Sequence, residues 1–191
     1  MAEIVYRTLE VPSGYASPVI ARYLWQLDDQ NRRLLAATTD LTPDALQWQP
    51  APGFNTMGML FAHVALNEVH MAHVMIEGRT ASDVPGILDG LGPDDDGMPL
   101  PEDGKPPAVF ANKSMEDFVD LLKRAREETR RIARPLTDAD LDRRVTRHPP
   151  DGSTRIYNVD WTLYHFVEHL AGHHAQILQL KHLYQHRHAH A

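Results

Sequence analysis

No cysteine occurs among the 191 residues of the chain. That absence removes disulfides, thiolate metal ligands and a cysteine nucleophile together, so any bound metal must be held by nitrogen or oxygen. Positive charge is also scarce, with a formal net charge of -7. A nucleic-acid partner needs a dense Lys/Arg face to displace counterions, and none is visible. The arginines from Arg124 to Arg134 are the only concentration, and because they alternate with Asp and Glu they read as a solvated helix face with i,i+4 pairs. No apolar run approaches membrane-spanning length, and the N-terminal residues lack the basic and long apolar regions of a signal peptide. The expectation is a soluble, cytoplasmic protein with no nucleic-acid and no membrane partner.

What is present is an ordinary globular composition, 42% hydrophobic and 24% charged, with 14 Pro and 11 Gly gathered between periodic segments. The length suits one domain, 1–191, with a core from about residue 16 to 184. Residues Met1 to Gly14 show no period and read as an extended arm or loop. After Pro18, Ile20, Leu24, Leu27, Leu34 and Leu35 recur at helical spacing until Asp40 to Pro43 closes the segment. Thr42-Pro43 starts a short helix, with Thr as cap and Pro in the first turn. A second long helix begins near Asn55 or Thr56, carries Met57, Leu60, Phe61, Val64, Met71 and Met75, and stops at Gly78.

From Arg79 to Lys113 the period is lost and Pro, Gly and Asp accumulate, as in loops that act as functional covers or linkers. Asp94, Asp95 and Asp96 lack the alternating ligand pattern of a calcium loop and read as solvated charge. Ser114, followed by Glu116 and Asp117, caps a third long helix that ends at Pro135. The stretch LTDADLDRR then echoes LTPDALQWQ after the first helix. His148 to Tyr157 is a turn region, with a small hairpin around Asp151-Gly152 as one reading. Asn158 or Asp160 caps the last helix, which runs past Tyr184 into a histidine-bearing tail read as a frayed end. Helices 1 and 3 still need partners, so a homodimer through helix faces is expected.

The chemistry lies in the last helix, in YHFVEHLAGHHAQILQLK. His165, His169 and His173 stand four residues apart, one above the other on one face, and two imidazoles at that spacing can hold one metal ion. His169 and His173 share a flank that Gln176 continues. In the second long helix, His63 and His70 lie on one flank of the apolar stripe with Asn67 between them, and His73 turns further toward solvent. His63 at the core edge is the first choice for an upstream ligand, with His70 in reserve. His165 reads as a surface residue or a neighbour of the ligands, and His174 as packing. Three neutral imidazoles from two helices satisfy a divalent first-row metal and leave positions open.

NTMGMLFAHVALNE, EHLAGHHAQI and the four-helix arrangement with a long middle connection resemble the DinB superfamily, also described as DinB/YfiT-like. The resemblance spans about residues 16 to 184 and implies an all-α four-helix bundle. It places the metal ligands at His63, His169 and His173, with Ala175-Gln176 where the family has a Gly-Gln or similar pair. His174-Ala175 departs from an Arg-Gly common in the family, and the connection from Arg79 to Lys113 is longer than usual. The implied function is a metal-dependent enzyme acting on a small molecule, either an S-transferase or isomerase using a low-molecular-weight thiol, or a hydrolase. Zn or Ni leads the candidate metals, with Fe, Mn and Co also compatible with imidazole ligands. Glu68 or Glu168 is expected as a base or as the carboxylate orienting an imidazole. The alternative is a non-catalytic metal-binding or stress-response bundle in which the ion staples two helices.

Overall fold

A computed structural model gives the structure of the protein and describes residues 8–84, 88, 90–149 and 151–189. Each helix starts where a side chain can satisfy its free N–H groups. Ser17 accepts from Ile20 N at the start of α1 (Pro18–Thr38), and Thr42 accepts from Ala45 N at the start of α2 (Pro43–Gln47). Thr56 accepts from Met59 N at α3 (Met57–Met71), and a Ser114/Asp117 capping box opens α4 (Met115–Ala133). At α5 (Val159–Ala189) the cap is Asn158, whose Oδ1 accepts the Trp161 N–H at 2.8 Å. Asp160 is used otherwise, accepting the Tyr23 hydroxyl at 2.9 Å and tying α5 to α1.

The four long helices pack in pairs: α1 on α5, α5 on α3, α3 on α4, and α4 back on α1. The apolar spacing of Leu24, Leu27 and Leu34 on α1, Leu60 and Phe61 on α3, Phe118 and Leu122 on α4, and Leu163, Phe166 and Ile177 on α5 places all of them in the core. Phe61 and Phe118 stack with ring centroids 5.8 Å apart. The helical fold expected from the sequence is therefore present, with one small addition. An antiparallel hairpin, β1 (Arg144–Arg147) and β2 (Arg155–Asn158), pairs Arg144 with Asn158 and Arg147 with Arg155 and leads into α5. Its turn includes Asp151 and Gly152, the latter at φ +78°, while Pro150 lies outside the described residues. The LTDADLDRR echo is a single 3-10 turn, Asp138–Asp140, rather than a second α2.

α3 is the central helix: of its 15 residues, all but His63, Asn67 and His70 are buried. Those three sit at i, i+4 and i+7, so the helix has one polar face and no other that meets solvent. It continues as a π-helical turn, Ala72–Glu77, that Gly78 ends at φ +80°. From Met57 to Glu77 this stretch has the length and apolarity of a membrane span, against the sequence reading, yet most of it is buried within the protein. It is a core helix. Because α3 is surrounded, His73 cannot turn to solvent as its position on a helical wheel suggested. It is buried facing α4, with Nδ1 2.6 Å from Glu77 and Nε2 3.0 Å from Glu128.

Two further expectations need correction. Arg126 does not belong to a solvated face: it is buried, donates to both Glu68 carboxylate oxygens at 2.8 and 3.0 Å, and reaches Asp28 at 2.6 Å. Arg130 also holds Asp28, at 2.7 Å, so the buried charge is neutralised by a network across α1, α3 and α4. The tail does not fray at Tyr184, because α5 stays helical to Ala189; His190 and Ala191 lie outside the described residues, as do Met1 to Arg7 of the N-terminal arm.

Candidate metal centre

His63, on the polar face of α3, meets His169 and His173 of α5 across the α3–α5 contact. The i,i+4 spacing on α5 builds a ladder of rings. Trp161 stacks on His165 at 4.7 Å and 9°, His165 lies 5.4 Å from His169, and His169 lies 4.4 Å from His173. The Nε2 atoms converge: His63 to His169 at 2.9 Å, and His173 to His169 at 3.1 Å.

The other nitrogen of each outer ring decides what the converging atoms are. His63 Nδ1 lies 2.7 Å from a carboxylate oxygen of Asp96, and His173 Nδ1 lies 2.8 Å from Oε1 of Gln176. Asp96 only accepts and Gln176 accepts through its oxygen, so each Nδ1 carries a proton, and in the neutral ring each Nε2 presents a lone pair. His169 Nε2 can donate to one of them at most. At least one lone pair at hydrogen-bonding distance therefore faces another without a hydrogen between them, which a cation relieves. A proton is a poor substitute. Burial, reinforced by His173, His63 and His165, pushes the His169 pKa down to about 3, and burial also lowers that of His173. A convergent, all-nitrogen donor set fits a divalent first-row ion.

Asp96 is the functional residue that sequence reasoning missed. The solvated reading of the Asp94 to Asp96 run fails at this residue, which is buried and also accepts the Met98 N–H at 2.7 Å. Its backbone is fixed by Gly97, at φ +72°, where an added Cβ would lie 2.6 Å from Pro107 Cγ. A signal was available: Met98 and Leu100, just beyond the run, pack against the core and draw its end inward. The long connection thus reaches the site through one carboxylate, completing a carboxylate–histidine arrangement of the kind that fixes ring orientation and basicity.

Other candidates lie as follows. Glu68 is held by Arg126, and Glu168 is exposed with one oxygen 3.6 Å from His165 Nδ1. Among the described contacts neither touches a converging imidazole, so the orienting carboxylate is Asp96. His70, the reserve ligand, is not in the group; its Nδ1 is buried, and burial and Arg147 lower its pKa. His174 is half-buried, with a pKa lowered by burial and Arg33.

The sequence profile of the DinB superfamily matches residues 26–177, four-fifths of the chain. The chain belongs to the DinB superfamily. No curated protein matches it closely enough to add a named relative. The matched span contains His63, Asp96, His169, His173 and Gln176, so the whole cluster lies within the DinB region. Membership and the three-histidine group together fit a metal site.

Proposed function

We propose that the protein is a metal-dependent enzyme in which His63, His169 and His173 hold one divalent ion, Zn or Ni first among the candidates and Fe, Mn or Co also compatible. The observation that carries the reading is the convergence of three imidazole Nε2 atoms, 2.9 and 3.1 Å apart, while the Nδ1 atoms of His63 and His173 face oxygens of Asp96 and Gln176, an arrangement in which the central nitrogen cannot donate to both neighbours. When bound, the ion supplies Lewis acidity that lowers the pKa of a water or a low-molecular-weight thiol for hydrolysis or S-transfer to a small-molecule electrophile.

The protein residues set the conditions for that chemistry. Asp96 and Gln176 hold the outer rings by their Nδ1 atoms, and burial holds the His169 pKa at about 3 and lowers that of His173, which keeps these two imidazoles available as donors at neutral pH. Three ligands with no fourth carboxylate or histidine among the described residues favour an open, reactive site over the closed sphere of a structural staple. A cosubstrate thiol also suits a chain with no cysteine of its own.

Elemental analysis of protein purified without a His-tag or metal affinity step tests the metal, and the expected result is one divalent ion per chain that His63→Ala and His169→Ala remove. Metal-loaded protein is then assayed for consumption of a thiol with an electrophile such as a chlorinated aromatic, and for ester or amide hydrolysis without thiol. Metal content unchanged in both variants refutes the site. A loaded protein with neither activity across a broad panel refutes the enzyme and leaves the helix-stapling role.

A further inference from the structure

A mainly apolar concavity, with Asn55, Gln176 and Gln179 as its polar members, shares Gln176 with the histidine cluster. Between the start of α3 and the C-terminal half of α5 lies a cavity of about 270 Å³ lined by Pro50, Phe54, Leu60, Leu180, Leu183 and the Gln176 side chain, among others. Gln176 is shared: its Oε1 lies 2.8 Å from His173 Nδ1, and the residue lines the cavity. Leu60 stands one helical turn before His63 on α3. Larger hollows exist beside α4, about 400 Å³, and at the hairpin, about 540 Å³, but neither is lined by a cluster histidine, Asp96 or Gln176.

Building on the metal-centre reading, we propose that this cavity receives the apolar part of the same small molecule whose polar end reaches His63, His169 and His173. The substrate class is then an amphipathic molecule with a short alkyl chain or a single aryl ring attached to the reactive group. Three observations select this occupant. The volume suits part of a small ligand and lies just below the range of whole drug-sized sites. The rim carries two large apolar side chains left in water, Phe54 at 56% and Leu183 at 44% exposure, which an apolar guest covers. The hollow also shares Gln176 with the cluster, which a docking face elsewhere on the bundle would not do.

The probe is a series of alkyl hydroxamates, from acetohydroxamate to octanohydroxamate, titrated onto the zinc-loaded full chain. The hydroxamate head chelates the ion and the tail reports the cavity. Each methylene taken up multiplies affinity by about fourfold, so octanohydroxamate binds at least about fiftyfold more tightly than acetohydroxamate. Leu183→Glu, an exposed rim change that spares the core, cuts that preference to less than about fivefold, because the tail then passes a carboxylate. Leu180→Trp, which fills the hollow, has the same effect. Acetohydroxamate affinity and zinc stoichiometry stay at wild-type values in both.

Equal affinity for all chain lengths on zinc-loaded protein overturns the cavity proposal and leaves the metal centre standing. So does a length preference that survives both substitutions. If Leu183→Glu converts a dimer to a monomer in light scattering while the preference persists, the surface joins two copies of the chain and the proposal is again overturned. Zinc stoichiometry is read separately, and a protein that takes up no zinc refutes the metal centre and, with it, the shared-ligand proposal.

Discussion

Asp96→Asn isolates the contribution of the long connection to the metal centre. The Asp96 carboxylate accepts two hydrogen bonds, from His63 Nδ1 at 2.7 Å and from the Met98 backbone N–H at 2.7 Å. A carboxamide replaces one of the two accepting oxygens by a donating NH₂, so in the same placement it can satisfy only one of the two. If its oxygen stays with Met98, its NH₂ faces His63 Nδ1 and drives the proton to Nε2, removing the lone pair aimed at the cluster. If the amide turns round, the Met98 N–H is left buried without an acceptor, at a cost of about 1–3 kcal/mol. Either way the side chain buttressing His63 is lost, and such losses weaken metal affinity by about 10–100-fold, or about 1.4–2.7 kcal/mol. Competition with a chromophoric zinc chelator reads the change. His182, His186 and His188 are replaced by Asn in every protein compared, so that the exposed end of α5 does not buffer zinc. Asp95→Asn is the control, since the Asp95 carboxylate accepts the Gly92 N–H and does not touch the cluster. A zinc affinity for Asp96→Asn within about twofold of that control would refute the tautomer argument.

Three further outcomes follow from the same geometry. In the metal-free protein the His169 pKa lies below its ordinary 6.5, at about 3, so the unfolded chain takes up a proton that the folded chain refuses; stability is full above 6.5 and falls as pH drops toward 3. At about pH 5 that loss is about 2 kcal/mol from this group, measured by urea unfolding, and His169→Gln removes it; an equal acid loss in that variant contradicts the assignment. Glu68→Ala strands the buried Arg126 guanidinium with only Asp28 and costs about 3 kcal/mol in unfolding free energy while zinc stoichiometry is unchanged; a normal stability with lost zinc would return Glu68 to the site. Gly97→Ala forces a side chain into Pro107 at positive φ and shifts Asp96 off His63, so its zinc affinity falls with that of Asp96→Asn; wild-type affinity there would show that the turn does not position the carboxylate.

The helical frame was legible because its signals are local. Thr42-Pro43, Thr56 and Ser114 each placed a hydroxyl where the first turn needs an acceptor, and all three cap helices; the Ser17 cap of α1 was not read from the sequence. What misled was the assumption that every helix has one wet face. α3 packs against α2, α4 and α5, so the apolar stripe read on a wheel covers nearly the whole circumference, and the position assigned to His73 had no solvent to face. The same density accounts for Arg126, whose charge is legible as surface only until Glu68 and Asp28 arrive from two other helices. The widening of the backbone to a π turn at Ala72 leaves no residue-type signature beyond the Gly78 stop.

At the cluster, His169 and His173 were legible because both lie on one helix at a spacing that geometry alone turns into adjacency. His63 was recoverable from its flank and from the family resemblance, but its meeting with His169 spans 106 positions and depends on how α3 crosses α5. Asp96 depends on more still. Its contact with His63 needs the connection to fold back, Gly97 to adopt a left-handed turn, and Met98 and Leu100 to sink against the core. None of these is periodic, so no spacing rule reaches it. The consequence is a division of labour across the sequence. In the proposed metal centre α5 would supply two ligands, with Gln176 holding the Nδ1 of one of them; α3 would supply the third; and the irregular connection supplies the carboxylate that holds the Nδ1 of this third imidazole. Since Asp96 holds His63 by Nδ1, metal binding at the proposed centre and the docking of this segment would draw on the same hydrogen bond and stabilise each other. A shortened connection that keeps all three histidines but removes Asp96 therefore retains the ligands and loses affinity.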